Sequence, residues 1–370
     1  MTDDFDLHGV VGIRLVNASA GDAAKVERQL GPLRAPLHRD PDITIRFVDS
    51  ATDKPISYAG LEDGGFNDDG FFVLRGKGGV QAKARIPFDR IGHGLEIICE
   101  RAMPAVPHLL AIINLTALTK GVLPLHATAF TSDSTGVLVT GWAKGGKTES
   151  LLACMAEGAH YVGDEWIYLT DDGLMLGLPE PIRLWAWHLQ QMSPLLASRP
   201  LGDRLRLGTW RRVATLATKA ADMSWPGAGL MRKGAPIITR QAYLQVPPAE
   251  LFGHAAIDLR GNVDAVVLVL NHDSPQIVVE EVDEAEISGR MAASLVDERT
   301  DFLAHYHQFR YAFPERANDV IDTASDVERQ LLGARLDKRP AVKVLHPYPC
   351  DIAALGRTVL SAALDAGRRQ

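Results

Sequence analysis

The sequence predicts an α/β protein, with a β-rich N-terminal subdomain over residues 1–103 and, over 104–370, a larger unit in which strands and helices alternate. Three observations predict it. The first hundred residues carry short β-prone runs separated by turn signals. Val137-Leu-Val then runs through a glycine-rich loop into the helix-like Thr148-Glu-Ser-Leu-Leu-Ala-Cys-Met-Ala. Beyond residue 240, apolar strand-like runs are interleaved with stretches of helical spacing. With 370 residues, 46% hydrophobic and 23% charged, the chain can bury a large core and has the composition of a soluble globular protein.

In the N-terminal third, His8 to Val16, Ile43 to Val48, Gly70 to Leu74, Val80 to Ile86 and Leu95 to Cys99 read as strands. Glu62-Asp-Gly-Gly and Asn67-Asp-Asp-Gly are turns between them. A mostly antiparallel subdomain is expected, serving substrate contact or self-association into a homo-oligomer. Ala105 to Leu118 has helical spacing and stops at Lys120-Gly121. Val122 to Phe130 and Gly136 to Thr140 read as strands joined by the polar Ser132-Asp-Ser-Thr. Gly163 to Leu169 reads as another strand, Leu178 to Trp185 as extended, and Trp185 to Leu196 as a short helix. Arg240 to Val246, Ala256 to Leu259 and Val263 to Leu270 follow as strands, the last apolar enough to be central in a sheet. Asp283 to Phe302 reads as one acidic helix, with further helices to about Leu336. Val342 to Leu345 leads into a stiff His346-Pro-Tyr-Pro turn, and Asp351 starts a C-terminal helix reaching about Leu364.

Charge and composition exclude several function classes. A formal net charge of -7 argues against indiscriminate binding to nucleic acid or anionic membrane. The acidic start Met-Thr-Asp-Asp-Phe-Asp lacks the basic and apolar regions of a secretory signal, and the nearest approach to a spanning run, His108 to Thr119, is too short. A cytoplasmic protein is expected. Cys99, Cys154 and Cys350 have neither metal-ligand spacing nor the pattern of a disulfide framework. Between Arg199 and Arg240, nine Lys or Arg face only Asp203 and Asp222, a local balance of +7 against -14 for the rest. That segment is either a basic lid facing phosphates or an acidic partner, with Arg232, Lys233 and Arg240 as its candidates, or a solvated helix face.

The chemistry concentrates in Gly141-Trp142-Ala143-Lys144-Gly145-Gly146-Lys147-Thr148, which satisfies G-x-x-x-x-G-K-[ST] between a strand and a helix. Glycines let successive backbone N–H groups turn inward into an anion-binding nest, and the helix start adds its positive dipole end. In this pattern Lys147 reaches the β- and γ-phosphates of a nucleotide and the Thr148 hydroxyl ligates Mg2+. The competing reading is an ordinary glycine-rich turn, and the four fixed positions recur by chance in roughly one chain of this length in a hundred. Lys144 stands where many such loops have glycine and either adds a phosphate contact or points to solvent. Trp142 either stacks on a base, covers the phosphates or simply packs. Glu149 is read as stabilising the first helical turn.

Leu125-His126, the strand Gly136 to Thr140, the loop with Glu149 directly after it and the pair Asp164-Glu165 in "HYVGDEWIYL" resemble the catalytic core of HPr kinase/phosphorylase and its relatives. In that family a histidine lies on the strand before the phosphate loop, the loop often continues Gly-Lys-Ser-Glu, and an Asp-Asp pair follows one helix later. The resemblance covers about residues 120 to 170. The closing "VKVLHPYPCDIAAL" is similar to tails of diverged HPr-kinase-like proteins, including kinases that modify lasso precursor peptides. The resemblance implies a P-loop core shared with phosphoenolpyruvate carboxykinase, a mixed, bent β-sheet with flanking helices. It also implies ATP and Mg2+ as cofactors and phosphoryl transfer to a serine hydroxyl. Thr148 replaces the usual serine and keeps the hydroxyl; Glu165 replaces the second aspartate. The glycine-rich family signature that normally follows the acidic pair is missing, so HPr itself as substrate and phosphorolysis are not implied.

On this reading Lys147 neutralises the transferred group, and Asp164 accepts or orients the proton of the attacking hydroxyl. Mg2+ is assigned to Thr148 with Asp164 and Glu165. Strand alternation places Asp164 and Glu165 on opposite sides, one for chemistry and one for structure. His126 either tunes the acidic pair or is a satisfied core histidine. Arg183 is a weaker candidate for charge stabilisation, and His346 shapes a turn. Two function classes follow: an ATP-dependent kinase acting on a hydroxyl of a peptide, protein or small molecule, and a nucleotide-binding switch or scaffold without kinase activity.

Overall fold

In this computed structural model, residues 3–60, 63–77, 80–191, 243–337 and 339–368 are described. Alternation builds the first sheet. Ile43, Ile45 and Phe47 point inward from Ile43–Val48 while Thr44, Arg46 and Val48 face outward. Its strands are β1 (Asp3–Leu7), β2 (Val11–Val16), β3 (Ile43–Val48), β4 (Ser57–Ala59), β5 (Gly64–Asn67), β6 (Gly70–Lys77), β7 (Val80–Arg85) and β8 (Leu95–Glu100), in the order β1-β2-β3-β8-β7-β6-β5-β4. The outer pairings are antiparallel, as expected, but β2, β3 and β8 at the centre run parallel. A parallel pair needs a crossover, and the helix Ala20–Leu30 between β2 and β3 supplies it. Its signal is present in the sequence: Ser19 and Asp22 form a reciprocal capping box, and Ala23, Val26 and Leu30 are spaced on one buried face.

The second sheet is mixed and bent. Its strands are β9 (Leu123–Ser132), β10 (Thr135–Thr140), β11 (His160–Gly163), β12 (Trp166–Leu169), β13 (Leu174–Gly177), β16 (Arg260–Asn262), β17 (Ala265–His272), β18 (Val278–Glu281) and β19 (Ala341–Pro347). The order is β16-β13-β12-β9-β10-β17-β19-β18, with β11 also paired to β9; β14 (Ile182–Trp185) and β15 (Tyr243–Val246) form a separate ribbon. β10, β17 and β19 are parallel; β10 and the first five residues of β17 are buried on both faces, whereas in β19 only Val344 and His346 are fully buried. Val137, Val139, Val267 and Val269 pack towards the helices Lys147–Ala156 and Ile352–Gly367, whereas Leu138, Val266 and Leu268 join the opposite core. That opposite core runs without interruption from Phe5 in the first sheet to Leu336. The helices Lys147–Ala156 and Ile352–Gly367 approach closely enough that a Cβ on Gly356 would fall 2.2 Å from the Ala153 methyl.

Several expectations are corrected. The strand expected over Gly163 to Leu169 is broken between β11 and β12, because Glu165 has a left-handed backbone (φ 69°). Ala256 to Leu259 is not a strand; a short turn of helix covers His254–Ala256. The single helix expected over Asp283 to Phe302 is two, Glu284–Glu298 and Thr300–Ala312, divided at Arg299. Arg299 is buried and ion-paired with Glu328 of the helix Asp319–Leu336. β19 runs through His346 and Pro347, so His346 is a strand residue and not a turn residue. The helix expected over Trp185 to Leu196 is described as Ala186–Gln191. Trp185 instead ends β14, and residues 192–196 and the basic segment with Arg232, Lys233 and Arg240 lie outside the described residues. Among the described residues no helix is long and apolar enough to cross a membrane. All three cysteines are buried and free, and burial pushes the Cys154 thiol up to about 12.

Candidate functional site

The glycine-rich loop leaves the carboxyl end of β10 and lies across the ends of the parallel strands, the usual place for a ligand crevice in α/β sheets. Two side chains from the neighbouring strands hold its backbone. Asn271 Nδ2 at the end of β17 donates to the Lys144 carbonyl (2.9 Å), and His346 Nε2 on β19 donates to the Gly145 carbonyl (2.9 Å). Gly146 is required twice over. Its φ is 103°, and a Cβ there would sit 2.3 Å from His346 Nε2. Gly141, Gly145 and Gly146 are buried, while Trp142, Ala143 and Lys144 form the exposed tip.

Lys147 opens the helix and is buried, its Nζ donating to the carbonyls of Gly141 (2.9 Å) and Trp142 (3.1 Å). Burial lowers its pKa, against the opposing pull of Glu165, Asp164, Glu298 and Glu149. Thr148 Oγ1 donates to Asp164 Oδ2 at 3.1 Å, so the loop and the acidic pair meet as expected. Asp164 is only 4% exposed. Burial, then the negative charge of Glu165, raises its carboxyl to about 7, against hydrogen bonds from Thr148 and Thr128 and the charge of Lys147.

The expected placement of Asp164 and Glu165 on opposite sides of a regular strand fails, because neither lies in a strand. The left-handed turn at Glu165 breaks the alternation and leaves both carboxylates acting on Lys147. Glu165 Oε2 lies 3.2 Å from His126 Nε2, and the other ring nitrogen, Nδ1, lies 2.9 Å from Glu298 Oε1. Burial works against a charged His126, yet its two carboxylate partners prevail and raise its pKa. Burial likewise acts to raise Glu165, and the His126 contact outweighs it and holds the carboxyl below the ordinary range.

Glu149 does more than start a helix. It is buried and accepts from His188 Nε2 (3.0 Å), while the Trp185 N–H faces His188 Nδ1 at 3.3 Å. Glu149 stays below the ordinary range because that bond overcomes its burial. Besides Glu298, another acid went unread in the sequence. Glu180 has a buried Oε1 with no hydrogen-bond partner and is raised well above its usual range by burial and by the charges of Glu165 and Asp164, with Arg183 opposing. Its sequence signal is a carboxylate in an otherwise apolar run between Leu174 and Ile182. Arg183 itself is exposed, its guanidinium 6.0 Å from the centre of the Tyr243 ring.

No protein-family model and no curated protein matches this chain.

Chemically, the site combines a strand-end glycine-rich loop, one buried ammonium, a hydroxyl bonded to a carboxyl raised to about 7, and a histidine between two carboxylates. Among the described residues no group of three or more His, Cys, Asp or Glu is arranged to hold a metal ion alone. A divalent cation here would depend on oxygens brought by its ligand, which is how Mg2+ is usually held beside phosphates.

Proposed function

We propose that the protein is an ATP-dependent kinase that transfers a phosphoryl group to a serine hydroxyl of a peptide, protein or small molecule, on a core of the HPr kinase and phosphoenolpyruvate carboxykinase type. The observation that carries the reading is the hydrogen bond from Thr148 to Asp164 beside Lys147, which joins a phosphate-type loop to an acid titrating near 7. The residues fit the cofactors. Gly146 leaves no side chain where the backbone turns, and Thr148, Asp164 and Glu165 offer the hard oxygen donors that Mg2+ takes.

The loop N–H groups would hold the phosphates, and Lys147, whose Nζ now donates to two loop carbonyls, would neutralise phosphate oxygens in their place. Thr148, with its proton donated to Asp164, keeps lone pairs free for the metal, and Glu165 is the second candidate ligand. Bound Mg2+-ATP supplies the phosphoryl group and neutralises charge on its oxygens. Asp164 would take the proton from the acceptor hydroxyl as its oxygen bonds the γ-phosphorus and the bond from that phosphorus to the β–γ bridging oxygen breaks, releasing ADP; a carboxyl raised to about 7 suits that task at neutral pH. His126 keeps Glu165 ionised and in place.

The test is Mg2+-ATP binding and product mass spectrometry for wild type, Lys147→Ala and Asp164→Asn. Wild type should bind and yield a serine phosphate; Lys147→Ala should lose binding or turnover. Asp164→Asn should bind within about threefold of wild type and transfer at least ~100-fold more slowly. Binding without transfer by the wild type would make the protein a switch or scaffold, and no binding at all would reduce the loop to a turn.

A further inference from the structure

We propose that Glu298 is a positioning residue that holds the His126 ring with Nε2 aimed at Glu165. The catalytic consequence rests on the kinase reading, whereas the contact itself does not.

Glu298 is the last residue of the helix Glu284–Glu298, whose final turn contains Asp297 and no basic residue. A carboxylate at a helix C-terminus faces the negative end of the helix dipole, at a cost of roughly 0.3–1 kcal/mol. Its compensation is His126, with Nδ1 2.9 Å from Glu298 Oε1. The helix end is in turn anchored. Arg299, the next residue, is buried, donates to Glu328, and reaches Ser325 Oγ at 3.0 Å, both on the helix Asp319–Leu336. The carboxylate is therefore presented from a fixed point.

The ring itself has few other restraints. It is 6% exposed and lies against Trp166, the residue paired with it across β9 and β12, with ring centroids 5.9 Å apart. That contact confines the ring plane but does not choose which nitrogen faces Glu165. Ser294 Oγ lies 3.4 Å from Nδ1, a poor substitute at that distance. Glu298 makes the choice: with Nδ1–H donated to it, Nε2 is left pointing at Glu165 at 3.2 Å. Without Glu298 the ring can turn over, and Glu165, on a left-handed backbone beside Asp164 and Lys147, loses its fixed partner.

Glu298→Ala should lower kcat for phosphoryl transfer about 10–100-fold, as loss of an orienting partner commonly does. KM for ATP should stay within about twofold, and Glu298→Gln should restore most of the rate because its amide oxygen still accepts from Nδ1–H. The independent readout is imidazole NMR of the full-length chain labelled with 15N-histidine, with His126 assigned by its disappearance in His126→Gln. A hydrogen-bonded Nδ1–H resonance is expected in wild type, Glu298→Gln and Lys147→Ala, and is expected to vanish in Glu298→Ala. An unchanged resonance in Glu298→Ala, or a Glu298→Gln as slow as Glu298→Ala, overturns the proposal. If wild type transfers no phosphoryl group, the kinase reading falls, and the resonance alone decides whether Glu298 orients the ring.

Discussion

Two of the places where this protein buries charge treat it in opposite ways. Under the first sheet, Asp22 is 2% exposed and its carboxyl is held at about 2. Burial pushes it up, but Ser19, Lys25 and Arg101 together overwhelm that push. Glu100, equally enclosed, accepts from the backbone N–H groups of Ala51 and Lys83 and lies 3.5 Å from Lys83 Nζ. Around the loop, Asp164 is raised to about 7, Glu180 is held well above its ordinary range by burial and keeps an unpartnered oxygen, and Lys147 is lowered. The first set is satisfied by folding alone. The second is only partly satisfied, which is the state expected of groups that complete their bonding with a ligand.

Substitutions at matched positions should separate the two. The largest stability effect belongs to Asp22→Asn, which leaves Lys25 and Arg101 without their carboxylate and should cost about 3 kcal/mol in denaturant unfolding at pH 7, with nucleotide affinity unchanged. Because the folded pKa of Asp22 is depressed, its stabilisation is present above about pH 4 and is lost as pH falls towards 2, so the variant and wild type should converge there. A second, opposite effect is expected at Asp164. Its folded pKa is raised, so the cost of ionising it grows as pH climbs from about 4 to 7. Asp164→Asn should therefore gain ~1–3 kcal/mol at pH 8, and nothing below about pH 4, in the same variant that loses transfer. A loss of stability at pH 8 would break the contrast.

The smallest effect is at Lys144, exposed with φ 63° and anchored through its carbonyl and not its side chain. Lys144→Gly relieves a left-handed backbone and should stabilise by about 0.5 kcal/mol while changing ATP affinity less than twofold. A tenfold loss of affinity would instead make the side chain a phosphate contact.

What could be read in the sequence follows the same division between local and distant causes. β17 announces itself as an unbroken apolar run, the start of the C-terminal helix by Asp351, whose side chain accepts from Ala354 N, and the loop by its own spacing. Each signal is contained within a few residues. The rest of the site depends on partners far along the chain. His188 lies 39 residues from Glu149, and His346 lies 201 from Gly145. Glu298 reaches His126 only because a helix end is brought over β9, and no spacing rule links the two. Even the Asp164-Glu165 pair, plain as a motif, had the wrong geometry assigned to it. Alternation holds only while the strand is regular, and Glu165 is where it stops being regular.

The close approach of Gly356 to Ala153 sets the mechanics of the loop. With no gap between the helix Lys147–Ala156 and the C-terminal helix at that point, the former has little room to roll or slide. Whatever gives way must do so ahead of it, between Gly141 and Gly146. The C-terminal helix thus works as a bolt at the back of the loop, and a disturbance near residue 356 would be felt at Lys147 without touching it.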